Sequence, residues 1–126
     1  MFTEVVGADI DTQILISEPG IHSMFVDQLD AGSIKIMREE LVARHPDGYS
    51  LIVDDGLHVA EANLNSLDCL LPILKSGGVY VIEDLENTQL HHVLSEVCLR
   101  HPDLEWGLWL NRGRGIGSQL LVLRKR

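Results

Sequence analysis

The sequence predicts an α/β fold with a mainly parallel sheet that ends in an antiparallel hairpin. Short apolar runs alternate with segments of helical periodicity along most of the chain, which is typical of such sheets. The last two apolar runs, 104–110 and 119–123, have no helix between them and therefore predict the hairpin. A length of 126 residues suits one domain, so residues 1–126 are expected to form a single unit.

The first half of the chain predicts two strands and one helix. The strands are expected at 5–9 and 21–26, and Asp11 with Thr12 is placed to cap a short turn between them. The helix is expected from 31 to about 44, and it ends at the breaker 45–48 (HPDG). Its apolar positions recur at helical spacing: Ile34, Met37, Leu41 and Val42.

The second half repeats this order. A strand at 51–54 precedes a helix that is expected to end at Gly77 and Gly78, because glycine suits a helix C-cap. The buried stripe of that helix is Leu64, Leu67, Leu71 and Leu74. A strand at 79–82 then leads to a helix capped by Asn87 or Thr88. Its core positions are Leu90, Val93, Leu94 and Val97.

Composition excludes several classes of protein. No stretch approaches the roughly 20 apolar residues of a membrane span, and the first residues lack a signal-peptide pattern, so a cytoplasmic protein is expected. A net charge of −9 disfavours a nucleic-acid partner, because phosphate binding relies on clustered cations. Cys69 and Cys98 occupy apolar helical positions and are expected to be buried free thiols.

Acidic residues follow two of the predicted strands and form the strongest functional signal. Asp54 and Asp55 end one strand, and Glu83 and Asp84 end the next, while His58 follows on the first turn. Parallel strands deliver such residues to one sheet edge, where ligands bind. Crowded carboxylates repel one another unless a hard cation such as Mg²⁺ intervenes. The alternative is that some of these acids cap helices or face water.

The histidines divide into one candidate and five others. His58 has an ordinary pKa near 6.5, which suits a general base at neutral pH. The other five lie near predicted helix ends or on exposed faces and are expected to be solvated: His22, His45, His91, His92 and His101.

Two further motifs allow two interpretations each. Asp9 ends a strand and could accept hydrogen bonds from ribose hydroxyls, or it could simply cap the next element. The glycine motif within 113–117 (GRGIG) could cradle phosphate, but such a loop needs a following helix and 119–123 predicts a strand. A flexible hairpin loop is therefore favoured, although Arg112 and Arg114 could contact an anionic ligand.

Taken together, these segments resemble class I S-adenosylmethionine-dependent methyltransferases. The similarity is to the Mg²⁺-dependent sugar O-methyltransferases that act on macrolides, such as macrocin and mycinamicin O-methyltransferases, and to the cephalosporin hydroxylase and rhamnosyl O-methyltransferase group. The sequence 74–78 (LKSGG) is generic to class I enzymes, whereas 54–58 (DDGLH) followed by 81–84 (VIED) is more specific. The resemblance implies a Rossmann-like sheet.

The resemblance also implies roles for individual residues. Asp55, Glu83 and Asp84 match Mg²⁺ ligands. His58 matches the general base that deprotonates a sugar or other small-molecule hydroxyl. The residues implied to bind S-adenosylmethionine are Asp9 at the ribose, Asp27 and Gln28 beside the adenine, and Asp54 at the border of the pocket.

Two departures from the family pattern qualify these expectations. Leu57 stands where the family usually has a small polar residue. The family's first strand and glycine-rich turn, which lie mid-sheet, are not found ahead of Thr3, so the domain is expected to be N-terminally truncated and to expose two sheet edges. Those edges favour a homo-oligomer. The alternatives are a non-catalytic, partner-binding module and, more weakly, a metal-dependent hydrolase.

Overall fold

The computed structural model describes residues 3–110 and 119–126. The predicted hairpin loop with Arg112 and Arg114 lies outside these residues. Of the described helices, none is long and apolar enough to span a bilayer.

Seven strands and three α-helices make up the described chain, and most of them lie where the sequence predicts. The strands are β1 (Val5–Asp9), β2 (Ser17–Glu18), β3 (Ile21–Phe25), β4 (Tyr49–Asp54), β5 (Leu74–Leu85), β6 (Glu105–Leu110) and β7 (Gln119–Arg124). The helices are α1 (Ala31–Arg44), α2 (Ala60–Leu70) and α3 (Asn87–Arg100). A short 3₁₀ turn at Thr12–Ile14 is capped by Asp11, as expected.

The strands form two separate sheets rather than one. β1 pairs in parallel with β3, and the short β2 adds antiparallel to β3. In the second sheet, β4 pairs in parallel with β5, while β5, β7 and β6 pair antiparallel in that order. The parallel pairs and the C-terminal hairpin confirm the predicted α/β class.

The helices pack side by side, with α2 between α1 and α3. The core between the helices and the sheets contains large side chains that are almost wholly buried, among them Ile34, Leu67, Tyr80, Val93 and Leu121. The alternate positions of the strands remain open. Val5, Phe25, Leu51 and Val53 are each more than two-fifths exposed, which leaves an apolar sheet face without a covering layer among the described residues.

A cleft separates the two sheets between β1 and β4. Neither strand pairs with the other, so each has one edge without a strand partner among the described residues. Polar bridges join the sheets at both ends of the cleft. Glu4 accepts hydrogen bonds from Arg44, at 2.7 Å, and from His45 at one end. At the other end, Gln28 Nε2 donates to Asp54 Oδ1 over 2.9 Å.

Two predicted helix ends are wrong. α2 ends at Leu70 because Pro72, in the following 3₁₀ turn, has no N–H to continue the helical hydrogen bonding. Gly77 and Gly78 therefore lie within β5, where both hydrogen-bond to the backbone of Lys125. Asn87 does not cap α3, since Glu86 occupies the cap and the Asn87 side chain accepts a hydrogen bond from Gln119 instead.

Several polar side chains are less solvated, or more exposed, than the sequence predicts. His22, His45 and His101 each bond to a carboxylate, on Glu40, Glu4 and Asp68 respectively. Cys69 is half-buried, but Cys98 is exposed, so the prediction of two buried thiols is wrong for Cys98. Its position on α3 lies beside the buried Val97 rather than on the core face.

Candidate active site

The acidic end of β4 carries two aspartates with different environments. Asp54 is only 5 % exposed and accepts hydrogen bonds from Gln28, from the Gly56 amide at 3.2 Å and from Asn63 Nδ2 at 3.0 Å. Asp55 is exposed. Because the first carboxylate is enclosed by donors and the next faces solvent, only Asp55 of this pair is free to meet a ligand beyond the sheet edge.

The acidic end of β5 is distorted in a way that turns a second carboxylate outward. The pairing of β5 with β7 shifts register between Ile82 and Leu85, and Asp84 within this bulge has a φ of 52°. Asparagine and aspartate tolerate this left-handed region better than most residues do. The bulge therefore exposes Asp84 at the sheet edge instead of continuing the strand alternation.

Asp55, His58 and Asp84 converge. One ligand atom from each lies within 4.8 Å of the others, and all three side chains are exposed. His58 Nε2 is 4.0 Å from Asp84 Oδ2. Two carboxylates and an imidazole at this separation form a donor set that can hold a divalent cation.

Glu83 lies beside this trio but is not one of its members. It is half-buried, and burial raises the pKa of its carboxyl above the ordinary value. The negative charges of Asp55 and Asp84 raise this pKa further, whereas His58 opposes them. The shift reflects the concentration of negative charge at this edge, which a bound cation would offset.

A cavity of about 540 Å³ occupies the cleft between the two sheets. Its walls are formed largely by consecutive residues of β1 and β4. At its acidic end it is lined by Asp9, Asp27, Gln28, Asp54 and Asp55. All four residues that the sequence assigned to cofactor binding therefore line one cavity, and it reaches the metal-ligand candidate Asp55.

Local hydrogen bonds hold two of the cavity acids in place. Asp9 Oδ1 accepts from the Asp11 amide at 2.8 Å, and Asp27 Oδ1 accepts from the Leu29 amide at 3.0 Å. Each carboxylate keeps further acceptor capacity, since a carboxylate oxygen can accept more than one hydrogen bond. Both can therefore accept from ligand hydroxyl or amino groups.

Sequence reasoning missed two polar residues on α2. Asn63 and Ser66 are 1 % and 3 % exposed, and they bond to Asp54 and Gln28 respectively. They are three residues apart and so share a helix face. Two small polar residues at this spacing beside the stripe of Leu64 and Leu67 were the available signal for a buried polar contact.

Comparison with known proteins identifies sugar O-methyltransferases as relatives. The chain is 36 % identical over 81 residues to demethylmacrocin O-methyltransferase of Streptomyces fradiae, covering 64 % of this chain and 19 % of that protein. It is 30 % identical over 84 residues to 8-demethyl-8-alpha-L-rhamnosyl tetracenomycin-C 2'-O-methyltransferase of Streptomyces olivaceus, covering 67 % and 21 %. The chain thus spans about a fifth of the length of these relatives. No protein-family profile matches it.

Solved structures share the fold over nearly the whole chain. A methyltransferase of the mycinamycin biosynthetic pathway, in complex with Mg, SAH and mycinamycin VI, superposes with a TM-score of 0.67 at 21 % identity. That match covers 97 % of this chain and 36 % of the other. An O-methyltransferase from Bacillus cereus in complex with SAH gives 0.68 at 9 % identity, over 97 % and 63 %.

A third structure limits what the fold alone can say about the substrate. An rRNA methylase from Streptococcus thermophilus superposes with a TM-score of 0.64 at 14 % identity, over 97 % of this chain and 73 % of that one. The likeness to solved structures therefore defines architecture, while the sequence relatives narrow the similarity. The chain forms part of a Rossmann-like class I methyltransferase fold, and its sequence is similar to those of sugar O-methyltransferases, as predicted.

Proposed function

We propose that this chain is the catalytic part of an S-adenosylmethionine-dependent, Mg²⁺-dependent O-methyltransferase. The observation that carries the proposal is the convergence of Asp55, His58 and Asp84 at the acidic mouth of the cavity. A methyl donor and a hydroxyl acceptor must meet at one point, and a cavity that opens beside a cation-binding trio provides such a point. We retain a single domain over residues 1–126 as part of this proposal.

The residues at the sheet edge fit a magnesium ion. Mg²⁺ prefers oxygen ligands and usually takes one or two carboxylates while it keeps several waters. Asp55 and Asp84 would hold it, and Glu83 stands next in line as the third ligand that the sequence predicted. A bound divalent cation would supply Lewis acidity that lowers the pKa of a coordinated hydroxyl.

His58 is the proposed general base. Its side chain is 46 % exposed and lies on the turn that carries Asp55, so an acceptor held at this edge can reach its ring. An imidazole with an ordinary pKa near 6.5 is largely neutral at pH 7 and can take the hydroxyl proton. Asp84, 4.0 Å from Nε2, then lies close to the charge that His58 gains.

The cavity is the proposed site for S-adenosylmethionine. Asp9 would accept hydrogen bonds from the ribose hydroxyls, and Asp27 with Gln28 would lie beside the adenine. Asp54 would border the pocket, because its own oxygens are already occupied by protein donors. These assignments follow the resemblance, and the shared cavity supports them.

The proposed acceptor is a hydroxyl of a sugar or another small molecule, including a glycoside. The relatives act on glycosylated compounds according to their names, and this chain shares 30–36 % identity with them over about two thirds of its length. Its net charge of −9 argues against a nucleic-acid acceptor, although a structural neighbour is an rRNA methylase. The cytoplasmic location stays a prediction.

The divided sheet favours a second candidate function, which is a non-catalytic, partner-binding module. β1 and β4 present unpaired edges on either side of the cleft, and such edges readily pair with another chain. A homo-oligomer formed through these edges is the association that we propose. It is compatible with either function, since strand pairing uses the backbone and leaves the exposed trio free.

Calorimetric titration of S-adenosylmethionine, with and without Mg²⁺, tests the first proposal. We expect micromolar binding that Asp9→Ala abolishes. Asp47→Ala is the matched control, because Asp47 is an exposed acid just ahead of β4 and does not line the cavity. A folded chain that binds Mg²⁺ but no cofactor would overturn the proposal in favour of the partner-binding module.

A further inference from the structure

The Gln28 side chain uses both of its amide hydrogens inside the protein. Its Nε2 atom donates to Asp54 Oδ1 at 2.9 Å and to Ser66 Oγ at 2.8 Å. Its Oε1 atom accepts from the backbone amide of Leu57 at 2.6 Å. An amide has two N–H donors, so the donor capacity of Gln28 is spent on its own protein.

The turn after β4 packs directly against this amide. A Cβ atom placed on Gly56 would lie 2.0 Å from Gln28 Oε1, a distance that no side chain could occupy. The Gly56 amide in turn donates to Asp54 Oδ1 at 3.2 Å. Glycine at position 56 thus allows the backbone of the turn to approach Gln28 closely enough for the Leu57 hydrogen bond.

The anchored turn carries two members of the exposed trio. Asp55 and His58 flank the Gly56 and Leu57 pair, and their own side chains are solvent-exposed. An exposed side chain gains little positional restraint from packing, so its location depends on the backbone that carries it. That backbone is tied to the end of β3 through Gln28 and to α2 through Ser66.

We propose that Gln28 is a positioning residue for the metal-binding turn. Its amide links β3, β4 and α2, and thereby fixes Asp55 and His58 opposite Asp84. The inference rests on the proposed metal site, but it assigns to Gln28 a role different from contact with adenine. Groups that orient metal ligands in this way typically change metal affinity by 10-fold to 100-fold when they are removed, by order of magnitude.

Manganese binding to a Gln28 variant tests this proposal. Mn²⁺ can be followed by the electron paramagnetic resonance of the free ion and takes the oxygen ligands that Mg²⁺ takes. We expect Gln28→Ala to weaken Mn²⁺ binding roughly tenfold or more. Asn65→Ala is the matched control, because Asn65 Nδ2 donates to the Gln28 carbonyl at 3.2 Å without touching the turn. It should retain the wild-type affinity.

Cofactor affinity separates the positioning role from an adenine contact. If Gln28 mainly contacted the cofactor, Gln28→Ala would weaken S-adenosylhomocysteine binding and leave Mn²⁺ affinity unchanged, which would overturn the proposal. Gln28→Met keeps the length of the side chain and removes all three hydrogen bonds. It carries the same expectations should the alanine variant fail to fold.

Amide exchange distinguishes failure of this inference from failure of the proposed function. In the metal-free chain, we expect the Leu57 amide to exchange at least about fivefold faster in Gln28→Met than in the wild type, because its acceptor is lost. A wild type that binds no Mn²⁺ would contradict the proposed metal site, yet Leu57 exchange would still test the anchor. Unchanged Leu57 exchange in the variant would refute the positioning role.

Discussion

His58 Nε2 lies 4.0 Å from Asp84 Oδ2, although 26 residues separate them along the chain. β4 and β5 run in parallel with Asp54 opposite Ile82, so the residues that follow each strand emerge at the same edge. The bulge at the end of β5 then turns Asp84 toward the turn that carries His58. Strand register and one local distortion are thus sufficient to assemble the trio.

We expect Asp55→Asn to weaken Mg²⁺ binding at least about tenfold, or roughly 1.4 kcal/mol. An amide keeps the shape of the side chain but loses the charge that a hard cation prefers. Calorimetry with MgCl₂ gives the affinity, and circular dichroism checks the fold. Glu39→Gln, which removes one exposed carboxylate from α1, should bind like the wild type. An unchanged affinity in Asp55→Asn would remove this residue from the site.

Asp84→Asn should reduce Mg²⁺ affinity more than Glu83→Gln. Asp84 belongs to the converging trio, whereas Glu83 is half-buried beside it. Neutralising Glu83 removes a nearby charge, but it leaves the two converging carboxylates in place. The same titration compares both variants. A larger loss in Glu83→Gln would make Glu83 the principal ligand from β5, as the family resemblance implies.

The sequence predicts the position of this site well because its determinants are local. Each acid directly follows an apolar run, and parallel strands end at one edge, so the approximate meeting of Asp55 and Asp84 follows from strand order. Helix α1 was predicted at its observed bounds for a similar reason. Asp30 caps its start and Pro46 follows its end, and both signals lie within two residues of the helix.

The features that the sequence does not predict depend on distant contacts. The bond between Gln28 and Ser66 spans 38 residues, and nothing near either residue announces the other. β5 begins at Leu74 rather than 79 because Gly77 and Gly78 find backbone partners at Lys125. Local preference for a glycine helix cap is overridden by that pairing, so tertiary contacts decide where this element begins.

Glu4 should make the stability of the chain depend on pH in acid. Hydrogen bonds from Arg44 and then His45 lower the pKa of the Glu4 carboxyl from 4.5 to about 2. The folded state therefore releases this proton more readily than the unfolded state. The resulting stabilisation is complete above the unfolded value and is lost as the pH falls from 4.5 toward 2.

Urea unfolding of Glu4→Gln between pH 7 and pH 3 measures this contribution. The variant should be less stable than the wild type at pH 7, and the gap should narrow below pH 4.5, where unfolded carboxyls become protonated. Glu39→Gln serves as the control for one lost surface charge. A gap that is constant across this range would show that the bridge between β1 and α1 does not form in solution.

Tyr80→Phe should leave stability unchanged within about 1 kcal/mol or raise it, because a buried hydroxyl without a partner is costly. The Tyr80 ring is fully buried, and its hydroxyl has no hydrogen-bond partner among the described residues. Tyr49→Phe is the matched control, since the Tyr49 hydroxyl donates to the Leu41 carbonyl at 3.0 Å.

The control should lose about 1 kcal/mol, which is typical of one hydrogen bond. Urea unfolding monitored by circular dichroism compares both variants with the wild type. Should Tyr80→Phe prove the less stable of the two, the Tyr80 hydroxyl must have a partner in solution. Its place in the cavity wall would then make it a candidate ligand contact.

The unpaired edges of β1 and β4 should cause concentration-dependent self-association. At tens of micromolar protein, sedimentation velocity should give an average mass above that of one chain. Val53→Lys should reduce this mass, because a charged side chain on an edge strand discourages pairing with another chain. Val53 is 48 % exposed on β4, and Val42, at 42 % on α1, allows a control of equal chemistry. Val42→Lys should associate like the wild type. A sharp monomer boundary for the wild type would instead indicate that β1 and β4 close on each other, and the cavity between them would then be too narrow to admit a cofactor.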